Sequence, residues 1–505
     1  MFSKVRHAAF FYPGLLMVVL VLISPGCRQP DALDTAETWD EFRKQWQAKG
    51  EVFDCRARIP APVPSEKNFA HTPLLKPLLA YDWNDDMSEA EPADPAQHSK
   101  AISLFKLSGK RPSLGQWQAG HAVDLVVWQE YFRGQEDFLK GADLKNPAKA
   151  QPDQAASDVL QALTVFGEEM TALLIAAKER PLCRFDVKYE AHLNARAPHL
   201  QVLMQASKCF ALRAVSYLAR GEHEAAYADT DMIVFLAQSI AGEPILISHL
   251  VRVAILRNAL QVIWQGLAER QWTSEQLIAL EQRLSGINLP EDLRLTLLYE
   301  RDMFNLVIEQ MVRKPFSEWQ DLPGLDGFNS PPANQMAWLE KNQIRFNEVH
   351  LKFGRNLVDL QRGIIDPGIA AANDDYLEKL DKDDPHNLLA AIMCIELSGV
   401  AMRFGTLQSG IDHARIAGAL EQHRLKDGKY PGQLSDLGMT PPHDSFSGKP
   451  YSYTAGVNER YRLHGAGWNL KDDGGRVIFR ATGGETSVDS MQGDPVWQYS
   501  PVPGS

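Results

Sequence analysis

Residues 200–236 read LQVLMQASKCFALRAVSYLARGEHEAAYADTDMIVFL. Leu200, Leu203 and Met204, then Phe210, Leu212, Val215 and Leu218, return at the spacing of one helix face. Gly221 punctuates the run and a second apolar segment ends at Leu236, so the stretch predicts a helical hairpin. The same spacing continues upstream through Val159, Leu160, Leu163, Val165 and Phe166, which predicts consecutive helices from about 155 to 286. Gly242 interrupts them. Thr273 followed by Gln276 forms a capping box ahead of Leu277, Ile278 and Leu280. Pro290 before Glu291 and Asp292 opens the next helix, because proline fits the first helical position and acids favour that end.

Further downstream, Pro323, Pro331 and Pro332, with Gly324 and Gly327, mark a loop over 316–335. Asp384-Pro385 starts a long helix that runs to Lys426. Its first half, Leu388 to Phe404, is apolar nearly all round, which requires burial in a core or in lipid. Glu396 in its middle would cost about 2.5–3.5 kcal/mol in lipid, so it reads as a core helix.

After Gly428 the character changes. Tyr451 and Tyr453 alternate with Ser452 and Thr454, and Tyr461 and Leu463 alternate with Arg460, Arg462 and His464. Gly456 and Asn458 lie between, giving a β-hairpin, with Val477-Ile478-Phe479 as a third strand. The expected fold class is therefore mainly α, a multi-helix body with helical hairpins, carrying a small C-terminal antiparallel β-sheet. The expected domains are a helical one over 155–315, the loop 316–335, a helical segment 336–427 ending in the long helix, and a β tail over 428–505.

Upstream of the body, 28–154 reads as a Pro-rich N-terminal region with short helices. Trp39, Phe42 and Trp46 carry helical spacing, and prolines between Ile59 and Pro112 favour extended chain wrapped over a surface. Residues 1–27 form an export signal or anchor. Lys4, Arg6 and His7 lead an apolar run from Ala8 to Ile23, followed by Ser24, Pro25, Gly26 and Cys27. Three readings stay open: lipidation at Cys27, an uncleaved anchor, and plain secretion. Each exports the body, since Lys4 and Arg6 favour the cytoplasmic side.

Composition narrows the function classes. Apolar residues make up 45% and charged residues 23%, so a sizeable core is available. The net charge of −12 argues against nucleic acid as a partner, which demands a basic face. The cysteines are Cys27, Cys55, Cys183, Cys209 and Cys394. With Cys27 lipidated, four remain in an oxidising compartment. Cys183 and Cys209, nearest in the chain, are then the first candidate pair; the alternative is isolated, unreactive thiols.

Several segments resemble known families. Gly26-Cys27 resembles the lipobox of bacterial lipoproteins, although Ser24 stands where that family prefers leucine. Tyr217, Gly221, Ala225, Ala226 and Leu236 resemble one tetratricopeptide helix pair, with no second copy 34 residues on. Phe53-Asp54-Cys55, Ile59 to Pro64, Asn68-Phe69-Ala70 and Thr72 to Leu75 resemble the start of large envelope proteins of the Planctomycetes–Verrucomicrobia group, which implies no activity.

About 70 residues at the C-terminus resemble the globular part of the type II secretion major pseudopilin. The match runs through Ala414 to Leu420, Asp427-Gly428-Lys429-Tyr430-Pro431, Asp444 to Tyr453, Gly465-Ala466-Gly467 and Asp472 to Gly475. The resemblance implies a helix leading into a small antiparallel sheet, and a late acidic loop that binds calcium. The prepilin-type N-terminus of that family is absent here. Asn469, Asp472 and Asp473 supply hard oxygens for calcium, with carbonyls near Gly474; the same residues also make a good turn.

Motifs for a known chemistry are lacking. There is no G-x-S-x-G, phosphate loop or G-x-G-x-x-G. His223-Glu224 begins like a zinc-protease helix, but Tyr227 replaces the second histidine. Glu190, His192 and His199 are a candidate convergence, set against the plainer reading as surface residues. Glu300, Arg301 and Asp302 read as a helix face with local ion pairs. The expectation is an exported, membrane-tethered, non-catalytic protein of the bacterial cell envelope, bound to the membrane through its N-terminus and to a protein partner. The alternative is an envelope hydrolase whose site is assembled from distant residues around His192 and His223.

Overall fold

The structure, a computed structural model, describes residues 38–135, 151–313 and 334–497, apart from positions 86, 88, 382–383, 457–459 and 483–484, and adds Phe316 and Trp319. The export segment with Cys27, and most of the expected 316–335 loop, lie outside the described residues.

The chain is mainly helical. Short helices α1 (Trp39–Gln47), α2 (Pro95–Ile102) and α3 (Leu125–Arg133) precede the body. The body comprises α4 (Ala155–Leu163), α5 (Gly167–Glu179), α6 (His199–Ala219), α7 (His223–Gln238), α8 (Leu246–Ala268), α9 (Ser274–Ser285) and α10 (Leu289–Met311). After it come α11 (Gln335–Lys352), α12 (Pro367–Glu378), α13 (Leu388–Met393) and α14 (Leu397–Asp427). Local chemistry accounts for many of the boundaries. Thr273 and Gln276 make the reciprocal capping box at α9, Asn288 caps α10 with Pro290 in its first turn, and Thr38 with Glu41 boxes α1.

Helices α6 and α7 pack against each other, and Gly221, at φ +73°, makes the left-handed turn between them. Helix α8 is apolar around its circumference because α6, α7, α10 and α14 all pack on it. By length and composition three stretches would suffice to cross a membrane: Pro152–Glu179, Leu246–Ala268 and Pro385–Asp427. The expected long helix from Asp384 is broken. Chain between α13 and α14 turns extended at Cys394 and Glu396. Asp374 of α12 causes this, its carboxylate accepting the Leu397 and Ser398 amides at 2.7 and 3.1 Å and so starting a new helix there.

The tail forms two separate sheets. Strands β5 (Ser452–Ala455), β6 (Tyr461–His464) and β9 (Val496–Trp497) make an antiparallel sheet in the order β5-β6-β9. Val477-Ile478-Phe479 does form a strand, yet not in that sheet. It lies in β7 (Val477–Thr482), which pairs with β8 (Glu485–Gly493) as a two-stranded ribbon. Two further hairpins are β1 (Tyr81–Trp83) with β2 (Ala90–Pro92), and β3 (Val358–Asp359) with β4 (Ile364–Ile365).

One hydrophobic cluster extends from Cys55 to Trp497. It includes residues on both sides of positions 154/155 and 427/428, and two smaller clusters stand beside it, one around Trp319 and Trp338 and one around Trp39 and Phe42. Cys55, Cys183, Cys209 and Cys394 are all free thiols, which corrects the Cys183–Cys209 pairing. Cys209 sits fully buried in α6, where its Sγ contacts the Phe105 carbonyl at 3.9 Å.

Candidate functional site

The end of β6 and the two loops that flank the ribbon converge on one cluster. His464 closes β6, in register with Ser452 and Val496, and its side chain is 8% exposed. The following loop returns over it through Asp472-Asp473-Gly474-Gly475. Both glycines take left-handed backbone, φ +74° and +75°. A Cβ on Gly475 would stand 3.1 Å from His464 Nδ1 and 3.0 Å from Arg462 Cδ, so both the backbone angle and the close contacts disfavour a side chain there. This turn directs its amides at Asp494, just beyond β8. Asp473 N and Gly475 N donate to the two Asp494 oxygens at 3.2 and 2.6 Å, and Asp494 N donates to the Arg476 carbonyl. The three amides of this turn all donate to carboxylates, those of Asp473 and Gly475 to Asp494 and that of Gly474 to Asp472.

Asp472 occupies the rim, with a side chain 58% exposed. Its Oδ1 accepts Gly474 N at 2.9 Å and lies 3.1 Å from His464 Nε2, while Ser452 Oγ donates to Oδ2 at 3.3 Å. The Gly474 amide, then the His464 ring, hold this carboxyl below the usual carboxylate range. His464, Asp472 and Asp494 each offer a ligand atom, all within 4.8 Å of one another.

Of the three residues expected to hold calcium, only Asp472 belongs to this cluster. Asn469 and Asp473 are bonded to each other, Asn469 Nδ2 to Asp473 Oδ2 at 3.0 Å, and Asn469 Oδ1 accepts the Lys471 amide. His464 and Asp494 were missed. Strand alternation placed His464 among the outward polar positions. Asp494 reaches the cluster only because the ribbon brings its two ends together, which no local signal encodes.

A second buried polar cluster joins α14 to the sheet. Asp412 accepts Gln408 Nε2 and the Tyr451 hydroxyl, both at 3.0 Å. Burial pushes its pKa up to about 7. His413 is fully enclosed, packs edge-on to Tyr451 at 4.5 Å, and is pushed down to about 3 by burial. Ser445 Oγ donates to the Gly405 carbonyl and contacts Ser409 Oγ at 2.9 Å. These bonds serve docking of helix to sheet.

A third cluster surrounds Glu243. His199 Nε2 meets Glu243 Oε1 at 2.7 Å, Ser248 Oγ donates to Glu243 Oε2, and His249 Nε2 meets the Glu243 carbonyl at 2.7 Å. Nucleophile activation requires a base on the hydroxyl and an acid behind that base. Here the carboxylate stands between hydroxyl and imidazole, so the cluster ties the start of α8 to the start of α6.

No family model, curated protein or solved structure matches the chain.

The remaining candidates are dispersed. His192 sits before α6 at φ +48°, and burial lowers its pKa. His223 begins α7. Nδ1 of each ring is buried without a hydrogen-bond partner among the described residues. His199, expected near Glu190 and His192, is bonded to Glu243 instead. Arg301 and Asp302 form the expected local ion pair, at 2.8 Å, and both are buried. Arg301 bonds Asp302, Glu51 and the Val52 carbonyl, and Arg58 reaches Asp302, so these residues fasten the N-terminal region to α10. Glu300 accepts the Leu246 amide at 2.8 Å, capping α8 from a neighbouring helix. A cleft of about 200 Å³ is lined by Ala177, Pro181, Cys183, Phe235, Gln238, Ser239 and Arg283. Burial pushes the Cys183 thiol well up, which keeps it protonated at neutral pH.

Proposed function

We propose that the chain is an exported, membrane-tethered, non-catalytic protein of the bacterial cell envelope that works by binding another protein. The β7–β8 ribbon carries the reading. Among the described residues, its strands pair only with each other, so neither has a strand partner on its outer edge. Phe479 and Met491 on it are 45% and 48% exposed. A two-stranded ribbon is marginal alone and gains from an added strand. The basic lead and apolar run of residues 4–23 support export and tethering.

Site-specific photo-crosslinkers in the native host test this. Placed at Phe479 and Met491 in membranes, they are expected to give a discrete protein adduct that a probe at exposed Leu425 does not give. A phosphatase fused after Ser505 is expected to be active outside the cytoplasm. Absence of adducts from both ribbon positions, or a reporter active only inside, refutes the proposal.

A further inference from the structure

We infer that His464, Asp472 and Asp494 bind a borderline divalent cation such as zinc. The three side chains come from the end of β6, the loop before β7 and the turn after β8, and their ligand atoms lie within 4.8 Å of one another. Ligands of one zinc ion at about 2.0–2.2 Å each stand roughly 3–4 Å apart. The 3.1 Å between His464 Nε2 and Asp472 Oδ1 falls in that range. One imidazole and two carboxylates make a three-ligand set, and the exposed rim at Asp472 leaves room for water as the fourth.

The identity of the ion follows from the donors. Calcium takes six to eight oxygens. This cluster offers three side-chain ligands, and one of the three is a nitrogen. Imidazole favours zinc and its d-block neighbours over calcium or magnesium. Support around the ligands is present too. Asp494 is held by two amides and Asp472 by Gly474 N, so both carboxylates are oriented before any ion arrives. His464 Nε2 faces Asp472 Oδ1 at 3.1 Å, and an ion bound there would take the place of the proton in that contact. A plain hydrogen-bonded turn accounts for Asp472 and Asp494, but it does not need an imidazole at the end of β6.

Chelator-treated full-length protein, titrated with zinc chloride by calorimetry with a parallel thermal melt, tests the site. One equivalent is expected to bind and raise Tm, whereas millimolar calcium chloride does neither. Asp472→Asn keeps an oxygen for the Gly474 amide and is expected to lower the metal-free Tm only slightly while weakening zinc binding about tenfold or more. His464→Gln is expected to weaken it likewise. Zinc binding unchanged in both variants, no zinc binding at all, or the same Tm rise with calcium as with zinc overturns the inference.

Discussion

At the scale of single residues, Asp412 and His413 stand side by side in α14 with opposite pH dependences. The Asp412 pKa is about 7 in the fold, against 3.8 for the free group. Its contribution is complete below about pH 4 and is lost as pH rises toward 7, because the folded state keeps a proton that the unfolded chain releases. His413, at about 3 against 6.5, contributes fully above pH 6.5 and loses that contribution as pH falls, since only the unfolded chain takes up a proton. Between about pH 4 and 6.5 the two slopes oppose, each about 1.4 kcal/mol per pH unit. Asp412→Asn removes one of them. Its stability relative to the parent is expected to rise by about 1.4 kcal/mol per pH unit over that window. Urea unfolding at pH 4.5, 5.5 and 6.5 measures this, and parallel curves for the two proteins contradict it. Gly475 offers a second check. Alanine there combines a left-handed φ with contacts of 3.0 and 3.1 Å to Arg462 and His464, and a loss of roughly 1–3 kcal/mol is expected in the same assay.

At the scale of elements, helices were legible where their signals are local. Thr273 with Gln276, Pro290 with its acids, and Trp39, Phe42 and Trp46 all point to helices that form. The break between α13 and α14 was not legible, because Asp374, some twenty residues earlier, imposes it through the Leu397 and Ser398 amides. Likewise β7 carries a strand pattern, but nothing within Val477–Thr482 states that its partner is β8 rather than β6. Only one of the three expected calcium ligands entered the His464–Asp494 cluster, since the other two ligand positions are set by chain reversal rather than by spacing. These distant determinants predict measurable costs. Asp374→Ala leaves two amides of the first turn of α14 without acceptors, and a loss of about 0.5–2 kcal/mol is expected. Gly405→Ala would drive a Cβ to 2.2 Å from the Phe446 ring, where α14 meets the tail, and overpacking of this kind costs about 1–3 kcal/mol. Denaturant midpoints for the two variants decide both; midpoints equal to the parent's would show that neighbouring groups relax freely.

At the scale of the whole molecule, the Pro-rich N-terminal region and the β tail touch each other across the helical body. Trp117 and Trp497 lie 5.2 Å apart, both almost fully buried. Gln261 of α8 accepts the Trp117 amide at 2.8 Å, and Gly410 of α14 would place a Cβ 2.8 Å from the Trp117 ring. Trp497 in turn is held by β9, which pairs with Leu463 of β6. Three sequence regions with different compositions thus share a single indole contact, and removing one side must be felt by all of them. Trp497→Ala is expected to cost about 3–5 kcal/mol through lost burial and the cavity left behind. Because Trp117 and Trp497 belong to one cluster that also takes in the helical body, that loss is expected to lower the main transition seen by both far-ultraviolet and near-ultraviolet circular dichroism, with the two signals still melting together. A tail that folds independently would give another result: an early transition confined to the near-ultraviolet signal, while the helical signal melts at the parent's temperature.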